Sequence, residues 1–286
     1  MIPKLRTLYR RFIHSPALDR AIYAVLDSLT DLFALILRFS FPKNYMRRWK
    51  LDMLWELYEK ETVVLFRRTV KPGMVVVDIG AHIGYYARIA SLLVSKSGTV
   101  HAFEADSENF ALLEKNTRRA KRVARHKIAV TDTVGTIDFY HYDDKSGAHS
   151  TLPNAPLQFE KRKITVSSTD LDSYLQEKGV TRVDVIKMDI EGGESAALRG
   201  MRHTLAGARY LFTEFAPAWI EAAGSSPLSF LHSIEAHGFQ IFAITPNGLV
   251  KLSPVRDVGI MSLIPKPKEG THASEFINLY CVKEQM

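Results

Sequence analysis

The sequence lacks the features that define several protein classes. It has one cysteine, Cys281, in 286 residues, so no disulfide can form within the chain and no cysteine spacing of a structural zinc site occurs. The apolar stretch at 21–39 is interrupted by Asp27 and Asp31, which disfavours a membrane-spanning helix. No signal-peptide cleavage site follows the stretch, which disfavours a cleaved leader. Hydrophobic residues make up 46% of the chain and charged residues 24%, which excludes a disordered protein. We expect a globular protein of the cytoplasm.

The positive charge is concentrated at the start of the chain. Residues 1–72 contain 14 Lys and Arg against 7 Asp and Glu, whereas the remaining residues contain 24 of each. The formal net charge of +7 therefore belongs to the first quarter of the sequence. Such an asymmetry indicates contact with something acidic, such as a membrane surface, a nucleic acid or an anionic substrate.

The same first quarter has the pattern of amphipathic helices. Apolar residues recur every three or four positions, and a basic cluster with two tryptophans follows them: Leu18, Ile22, Val25, Leu29, Leu32 and Ile36, then Lys43, Arg47, Arg48 and Lys50 beside Trp49 and Trp55. One interpretation is a helical cap that packs on the main domain. The other is a basic helix on an anionic membrane, peripheral on its inner face.

A strand, a glycine-containing turn and a helix then follow in the order of a nucleotide-binding unit. The β-branched run at 74–80 ends with Asp78 and Gly80, and a helical pattern begins after His82 and Gly84. Gly80 permits the tight turn, and Gly84 is expected to let the helix start close to the ligand. The spacing is Gly-x-x-x-Gly rather than the Gly-x-Gly-x-x-Gly of dinucleotide sites, and Asp78 would repel a pyrophosphate. A cationic cofactor such as S-adenosylmethionine suits this turn better than NAD.

Two further acids are predicted to complete the cofactor site. Glu104 ends the predicted strand at 99–104, where it can accept hydrogen bonds from two ribose hydroxyls, although it could also be a carboxylate at a helix start. A third strand is predicted at 127–130, with Asp132 after it at the edge where adenine would lie. The basic residues at 115–127 are interpreted as a solvated helix face.

Five motifs resemble the FkbM-type family of S-adenosylmethionine-dependent methyltransferases. They are Val-Asp-Ile-Gly-Ala-His-Ile-Gly-Tyr-Tyr at 77–86, Phe-Glu at 103–104, Thr-Asp-Leu-Asp at 169–172, Lys-Met-Asp-Ile-Glu-Gly at 187–192 and Thr-Glu-Phe at 213–215. The family usually has Asn where this chain has His82, a change that keeps a side-chain hydrogen-bond donor. The resemblance covers roughly residues 72–245.

The resemblance implies an α/β fold of the class I methyltransferase (Rossmann-like) type. The expected architecture is a doubly wound, mostly parallel seven-stranded sheet with its last strand reversed, spanning residues 71–286 after a basic helical extension at 1–70. Plausible final strands lie at 239–244 and 276–282. The expected cofactor is S-adenosylmethionine, bound by Asp78, Gly80, His82, Gly84, Glu104 and Asp132.

The implied reaction is methylation of a hydroxyl oxygen on a sugar, glycolipid or related natural product. A sugar hydroxyl is a weak nucleophile, so a general base would accelerate the transfer. Three candidates stand at strand ends or in a loop that resembles the family's acceptor loop: Asp189, Glu214 and His149. His149 could equally be an exposed loop residue. A divalent metal held by Asp189, Glu191 and Glu214 could instead replace the base by acidifying the hydroxyl, although no ligand spacing demands one.

Two other functions remain open from the sequence. The basic excess allows an RNA methyltransferase, although no Asn/Asp-Pro-Pro-Tyr/Phe motif for amino-nitrogen methylation is present. A non-catalytic, membrane-associated binding protein that retains the fold is the other alternative. Salt-dependent RNA binding would support the first, and failure to bind the cofactor would support the second.

Overall fold

The computed structural model describes residues 16–43, 45–143, 145–157, 159–255, 260–264 and 276–284. The chain forms two compact units, Met1–Tyr58 and Glu59–Met286. This division lies before the predicted boundary at residue 70, because the helix at Lys60–Thr69 packs within the second unit. Its Phe66 side chain is fully buried and meets the rings of Tyr86 and Phe212 edge-on.

The first unit contains helix α1 (Pro16–Ile36) and helix α2 (Arg47–Leu54). The two acids that interrupt the apolar stretch pair with bases of the following cluster: Arg47 lies 3.1 Å from Asp27, and Lys50 lies 2.6 Å from Asp31. The predicted apolar stripe is exposed from Ile22 onward: Ile22 is 40% accessible, and Val25, Leu29, Leu32 and Ile36 are 53–66% accessible. The side chain of Leu18 lies outside the described residues. No helix within the described ranges is long and apolar enough to cross a membrane.

The second unit alternates strands and helices. Its helices are α3 (Lys60–Thr69), α4 (Tyr85–Leu93), α5 (Ser107–Thr117), α6 (Leu171–Glu177), α7 (Glu194–Arg199), α8 (Arg202–Gly207), α9 (Pro217–Ala222) and α10 (Pro227–Ala236), with a 3₁₀ turn at Ile260–Leu263. Its strands are β1 (Val75–Ile79), β2 (Thr99–Phe103), β3 (Val123–His126), β4 (Ala129–Val130), β5 (Gly135–His141), β6 (Arg162–Thr169), β7 (Val185–Met188), β8 (Tyr210–Phe215), β9 (Gln240–Thr245), β10 (Gly248–Lys251) and β11 (Ile277–Val282).

The main sheet confirms the predicted class I arrangement. Its strand order is β10-β9-β11-β8-β7-β1-β2-β3, in which β11 runs antiparallel between β8 and β9. The predicted final strands correspond to β9 and β11. The sheet has eight strands rather than seven because the chain turns back after β9 and adds β10 in an antiparallel pair. A separate three-stranded sheet has the order β4-β6-β5.

The prediction of the third strand was wrong in position. Strand β3 occupies 123–126 beside β2, and the predicted segment at 127–130 instead supplies β4 of the small sheet. The basic residues interpreted as one helix face are therefore divided, because α5 ends at Thr117 and Arg125 lies within β3. The Arg125 Nε donates to Thr117 Oγ1 at 2.6 Å. Since β3 is the edge of the sheet, it accommodates polar side chains that a central strand would exclude.

The two faces of the main sheet differ in chemistry. One face packs Val77, Ile186 and Leu211 against apolar residues of α7, α8 and α10. Strand side chains alternate between faces, so Asp78, Lys187 and Phe212 share the other face. Parallel strands leave their carboxyl ends at one edge, where α/β proteins form their sites. The functional residues are therefore expected where this polar face reaches that edge.

Candidate functional site

The turn between β1 and α4 is fixed by two glycines with positive φ. Gly80 has φ of 77°, and a Cβ placed on it would lie 1.9 Å from the Asp189 carbonyl oxygen. A Cβ on Gly84 would lie 2.9 Å from the Leu113 side chain of α5. Gly84 thus allows α4 to approach α5, a close contact that the sequence did not indicate. Gly80 permits the tight turn as predicted and joins it to the end of β7.

Glu104 organises the turn through both carboxylate oxygens. It accepts the backbone N–H groups of His82 and Asp106, each at 2.8 Å. Burial raises the pKa of Glu104 to about 7, and burial lowers the pKa of His82 to about 4, so His82 is neutral. Each carboxylate oxygen has two lone pairs, so one remains on each for a further donor. The His82 Nε2 lies 3.1 Å from Ser146 Oγ.

Asp78 lies on the polar face beside Lys187. Its carboxylate accepts the backbone N–H of Ala87 in the first turn of α4, and its Oδ2 atom is buried without a hydrogen-bond partner among the described residues. Burial raises the pKa of Asp78 to about 7, and the nearby Asp189 adds to the effect. An orphaned carboxylate oxygen of this kind suits a donor or a cation from outside the chain.

Lys187 is the cation at the centre of this acidic site. Its side chain is 1% exposed, its Nζ atom lies 3.2 Å from Asp189 Oδ2, and it faces the Tyr86 ring at 5.1 Å. Burial alone would lower its pKa, but Asp189, Glu59 and Asp78 outweigh that effect and raise it. The Tyr86 hydroxyl donates to Glu59 Oε2 at 2.8 Å. Lys187 is therefore held as an ammonium ion by several carboxylates.

Three more acids crowd the ends of β7 and β8. Burial, reinforced by Asp189, raises the pKa values of Glu191 and Glu214 well above their usual range. Burial also raises the pKa of Glu194 to about 7, although its Oε1 atom accepts the Ile190 backbone N–H at 3.0 Å. Carboxyl groups thus outnumber the buried lysine, and a positive charge placed among them would stabilise their ionised forms. Such a site favours a cationic ligand.

His149 is buried rather than exposed in its loop. Residues 142–157, which we call the strap and of which Asp144 lies outside the described set, place His149 against α5. The Tyr142 backbone N–H donates to His149 Nδ1 at 3.0 Å, and burial lowers the pKa of His149 to about 4. The neutral ring must then carry its proton on Nε2, 3.9 Å from Asp106 Oδ1. With Nδ1 occupied by a backbone N–H and the proton on Nε2, His149 is a weaker candidate for the base than Asp189 or Glu214.

Asp106, at the start of α5, binds the end of β5 directly before the strap. Its Oδ1 atom accepts the backbone N–H groups of Glu108 and Asn109, and its Oδ2 atom lies 2.6 Å from His141 Nδ1. The ligand atoms of Asp106, His141 and His149 lie within 4.8 Å of one another, which is close enough for a metal ion. However, the proton on His149 Nε2 occupies the atom that would bind a metal. Asp106 and His141 form a hydrogen bond, whereas His149 Nε2 has no hydrogen-bond partner among the described residues.

Asp132 lies apart from the other predicted cofactor residues. Arg199, at the end of α7, donates from Nε to Asp132 Oδ2 at 2.8 Å. Burial raises the pKa of Asp132 slightly, but the Arg199 guanidinium outweighs it and lowers the pKa. The shift of the third strand to 123–126 accounts for this placement, since Asp132 follows the small sheet rather than the main one. The structure therefore brings Asp78, Gly80, Asp189 and Glu214 to one edge but not Asp132.

Several site residues were missed by the sequence analysis. Lys187 stands in an apolar strand motif, and its charge within that buried run was the available signal. Glu59 and Asn278 come from segments outside the recognised motifs; the Asn278 side chain hydrogen-bonds to Glu59 and pairs in register with Glu214. No local pattern could have indicated that these two reach the same site.

Comparison with known proteins finds one domain family and three relatives that are all named methyltransferases. The model of the FkbM methyltransferase domain matches residues 78–241. The chain is 27% identical over 191 residues to the 2-O-methyltransferase NoeI of Sinorhizobium fredii, covering 63% of this chain and 77% of that protein. It is 27% identical over 159 residues to the 31-O-demethyl-FK506 methyltransferase FkbM of Streptomyces tacrolimicus, covering 46% and 61%. It is 25% identical over 158 residues to the hexuronic acid methyltransferase AglP of Haloferax volcanii, covering 54% and 62%. The matches to the last two therefore span about three fifths of those proteins.

Proposed function

Because the chain belongs to the FkbM family of methyltransferases, we propose that it transfers a methyl group from S-adenosylmethionine to a hydroxyl oxygen of a sugar, glycolipid or related natural product. The names of the relatives support this acceptor class, since one is a 2-O-methyltransferase and another acts on hexuronic acid. The observation that carries the proposal is the buried acidic edge around Lys187. It supplies anionic groups for a cationic cofactor and a carboxylate for an acceptor proton.

The residues of the edge fit S-adenosylmethionine, which supplies an electrophilic methyl group when bound. Glu104 retains a lone pair on each oxygen for ribose hydroxyls, and Asp78 offers its orphaned Oδ2 atom. Ionised carboxylates of this edge would stabilise a sulfonium and an amino group by Coulomb attraction, which is stronger at buried groups than in water. His82 and Gly80 shape the turn rather than contribute charge.

Asp189 is proposed to accept the proton of the acceptor hydroxyl. The Lys187 ammonium orients its carboxylate by an ion pair, and 29% of the Asp189 side chain is exposed, so an acceptor can reach it. Glu214 has a raised pKa and is proposed to act as a protonated carboxyl that donates a hydrogen bond to the acceptor. Holding the hydroxyl in line lowers the barrier, and a positioned base adds about 10²–10⁴-fold.

The test of the proposal is turnover of labelled S-adenosylmethionine with fractionated lipids, glycans and RNA. Label in the glycan or glycolipid fraction, stable to alkaline treatment as an ether is, supports O-methylation. Label in RNA would favour an RNA methyltransferase instead. Failure to bind the cofactor at all would favour a non-catalytic binding protein.

The raised carboxyl pKa values predict a pH dependence of cofactor affinity. Asp78, Glu104 and Glu194 have folded-state pKa values of about 7 against reference values near 4, so the folded protein holds extra protons between these limits. The stability of the cofactor-free protein should therefore fall as pH rises from about 4.5 to 7 and then level off. A cation that needs these groups ionised should bind about tenfold more tightly at pH 8 than at pH 6 for each carboxylate involved.

Calorimetry at the two pH values measures this dependence. S-Adenosylhomocysteine, which lacks the sulfonium charge, is the matched control and should show the smaller change. Equal affinity of S-adenosylmethionine at pH 6 and pH 8 would contradict the acidic edge as its binding site.

We further propose that the first unit binds the surface of an anionic membrane. The exposed apolar stripe of α1 supports insertion, and Trp49 lies in the basic cluster that follows. Arg47 and Lys50 are already paired with acids, and Arg48 lies 3.7 Å from Asp52. Apolar insertion is therefore the larger contribution, and salt should weaken binding less than the charge count alone implies.

Two substitutions on the stripe test this interaction in the full chain. Val25→Glu with Leu29→Glu should abolish sedimentation with vesicles containing phosphatidylserine, because burying two carboxylates in the interface is costly. Both positions are exposed, so the fold should tolerate the change. Leu92→Glu, at an exposed position of the second unit, is the control and should sediment like the wild type. A double variant that still sediments would refute membrane binding through α1.

A further inference from the structure

Three buried polar atoms beside the acidic edge have no hydrogen-bond partner among the described residues. They are Tyr142 Oη, Trp219 Nε1 and Glu191 Oε2. Tyr142 and Trp219 are 0% and 1% exposed, so bulk water does not satisfy them. Buried polar groups are normally hydrogen-bonded, so three such atoms in one region leave donors and acceptors available to a ligand.

The three side chains belong to segments that meet. Tyr142, Leu152 and Trp219 pack in one apolar cluster formed by the strap and α9. Ser150 Oγ on the strap donates to the Glu191 backbone carbonyl at 2.6 Å. A Cβ placed on Gly192 would lie 3.3 Å from the Trp219 carbonyl and 2.5 Å from Leu152. The loop after β7, the strap and α9 thus enclose one region.

Glu191 connects this region to the reaction site. It has φ of 50°, an uncommon conformation for a non-glycine residue, and it follows Asp189 by two positions. Backbone strain of this kind persists where the surrounding structure enforces it, and it often occurs at ligand sites. Burial and then the nearby Glu191 raise the pKa of Tyr142. Groups of the enclosed region therefore lie next to the proposed base.

We propose that Tyr142, Glu191 and Trp219 form the acceptor subsite and that they bind a pyranose ring. Aromatic side chains pack against the C–H faces of a sugar, while the carboxyl, phenol and indole N–H groups match its adjacent hydroxyls. The strap must move for the ring to enter, since both aromatic residues are buried. This assignment rests on the proposed methyltransferase function and adds the residues that select the acceptor.

The test uses Tyr142→Phe and Trp219→Phe in the full chain, with methyl glycosides of neutral hexoses, deoxyhexoses and hexuronic acids as acceptors for labelled S-adenosylmethionine. Each variant removes one polar group and keeps an aromatic ring. The KM for the glycoside should rise about tenfold, with kcat within about twofold and cofactor affinity unchanged. Thermal stability of Tyr142→Phe should stay the same or increase, because it loses an unsatisfied buried group.

Tyr210→Phe is the matched control, because Tyr210 begins β8 whereas Glu214 lies near the other end of that strand. This variant should leave the KM unchanged. A KM unaltered by both variants would overturn the subsite while leaving the methyltransferase function intact. Methylation of a non-sugar acceptor with no turnover of any glycoside would overturn the sugar assignment. Loss of cofactor binding by the wild type would instead reject the proposed function, and with it the acceptor subsite.

Discussion

Glu104→Gln should weaken S-adenosylmethionine binding by about 10²–10⁴-fold, the largest effect on cofactor affinity that we expect. Two hydrogen bonds from ribose hydroxyls to an ionised carboxylate are each worth about 1.5–3 kcal/mol. In the glutamine, the NH2 group replaces one of the two carboxylate oxygens. A donor then faces the backbone N–H of His82 or of Asp106, which loses its acceptor. Glu104→Ala should have a similar effect and should also destabilise the turn. Calorimetry on folded variants measures the loss.

Asp132→Asn is the control for this experiment. The sequence placed Asp132 among the cofactor residues, whereas the structure pairs it with Arg199. We expect affinity within about twofold of the wild type and only a small change in stability, because the ion pair is largely exposed. Unchanged affinity in Glu104→Gln, or a large loss in Asp132→Asn, would show that the cofactor lies elsewhere.

Asp189→Asn should lower turnover by about 10²–10⁴-fold while leaving cofactor affinity nearly unchanged. The amide keeps the shape of the carboxylate but cannot accept a proton from the acceptor hydroxyl. Lys187 still has Asp78 and Glu59 nearby, so the buried ammonium is not left alone. Single-turnover kinetics with labelled cofactor separates this step from binding.

Glu214→Gln distinguishes the two acids at the acceptor. If Glu214 acts as a protonated carboxyl, the glutamine still donates a hydrogen bond, and turnover should fall much less than in Asp189→Asn. A loss as large as that of Asp189→Asn would show that Glu214 takes the proton. Wild-type turnover in both variants would mean that the acceptor site has been misplaced.

The sequence predicted those parts of the fold that depend on local patterns. The β1 turn follows from Asp78 and Gly80, because a buried strand, an acid and a glycine suffice to specify it. The position of β3 could not be predicted, because this edge strand contains Arg125 and its sequence resembles the basic sequence of the helix before it. Register with β2, a long-range property, decided that position.

The chemistry of the site depended even more on distant contacts. The sequence indicated His149 as a candidate base, but it could not show that the Tyr142 backbone N–H occupies the Nδ1 atom of that residue. The role of Lys187 became clear only once its neighbours were known, Asp78 from β1 and Glu59 from the residue before α3. Charges from separate segments determine protonation, and a linear sequence does not show which segments meet.

The contact between Gly80 and the Asp189 carbonyl has a consequence for enzyme engineering. Any side chain at position 80 would displace the loop that carries the proposed base, so a library that diversifies the cofactor turn would also disturb catalysis. The strap lacks this constraint at its exposed positions Pro153 and Asn154. The range of acceptors is therefore best varied by substitutions in the strap. The turn after β1 and the loop after β7 should be kept unchanged together.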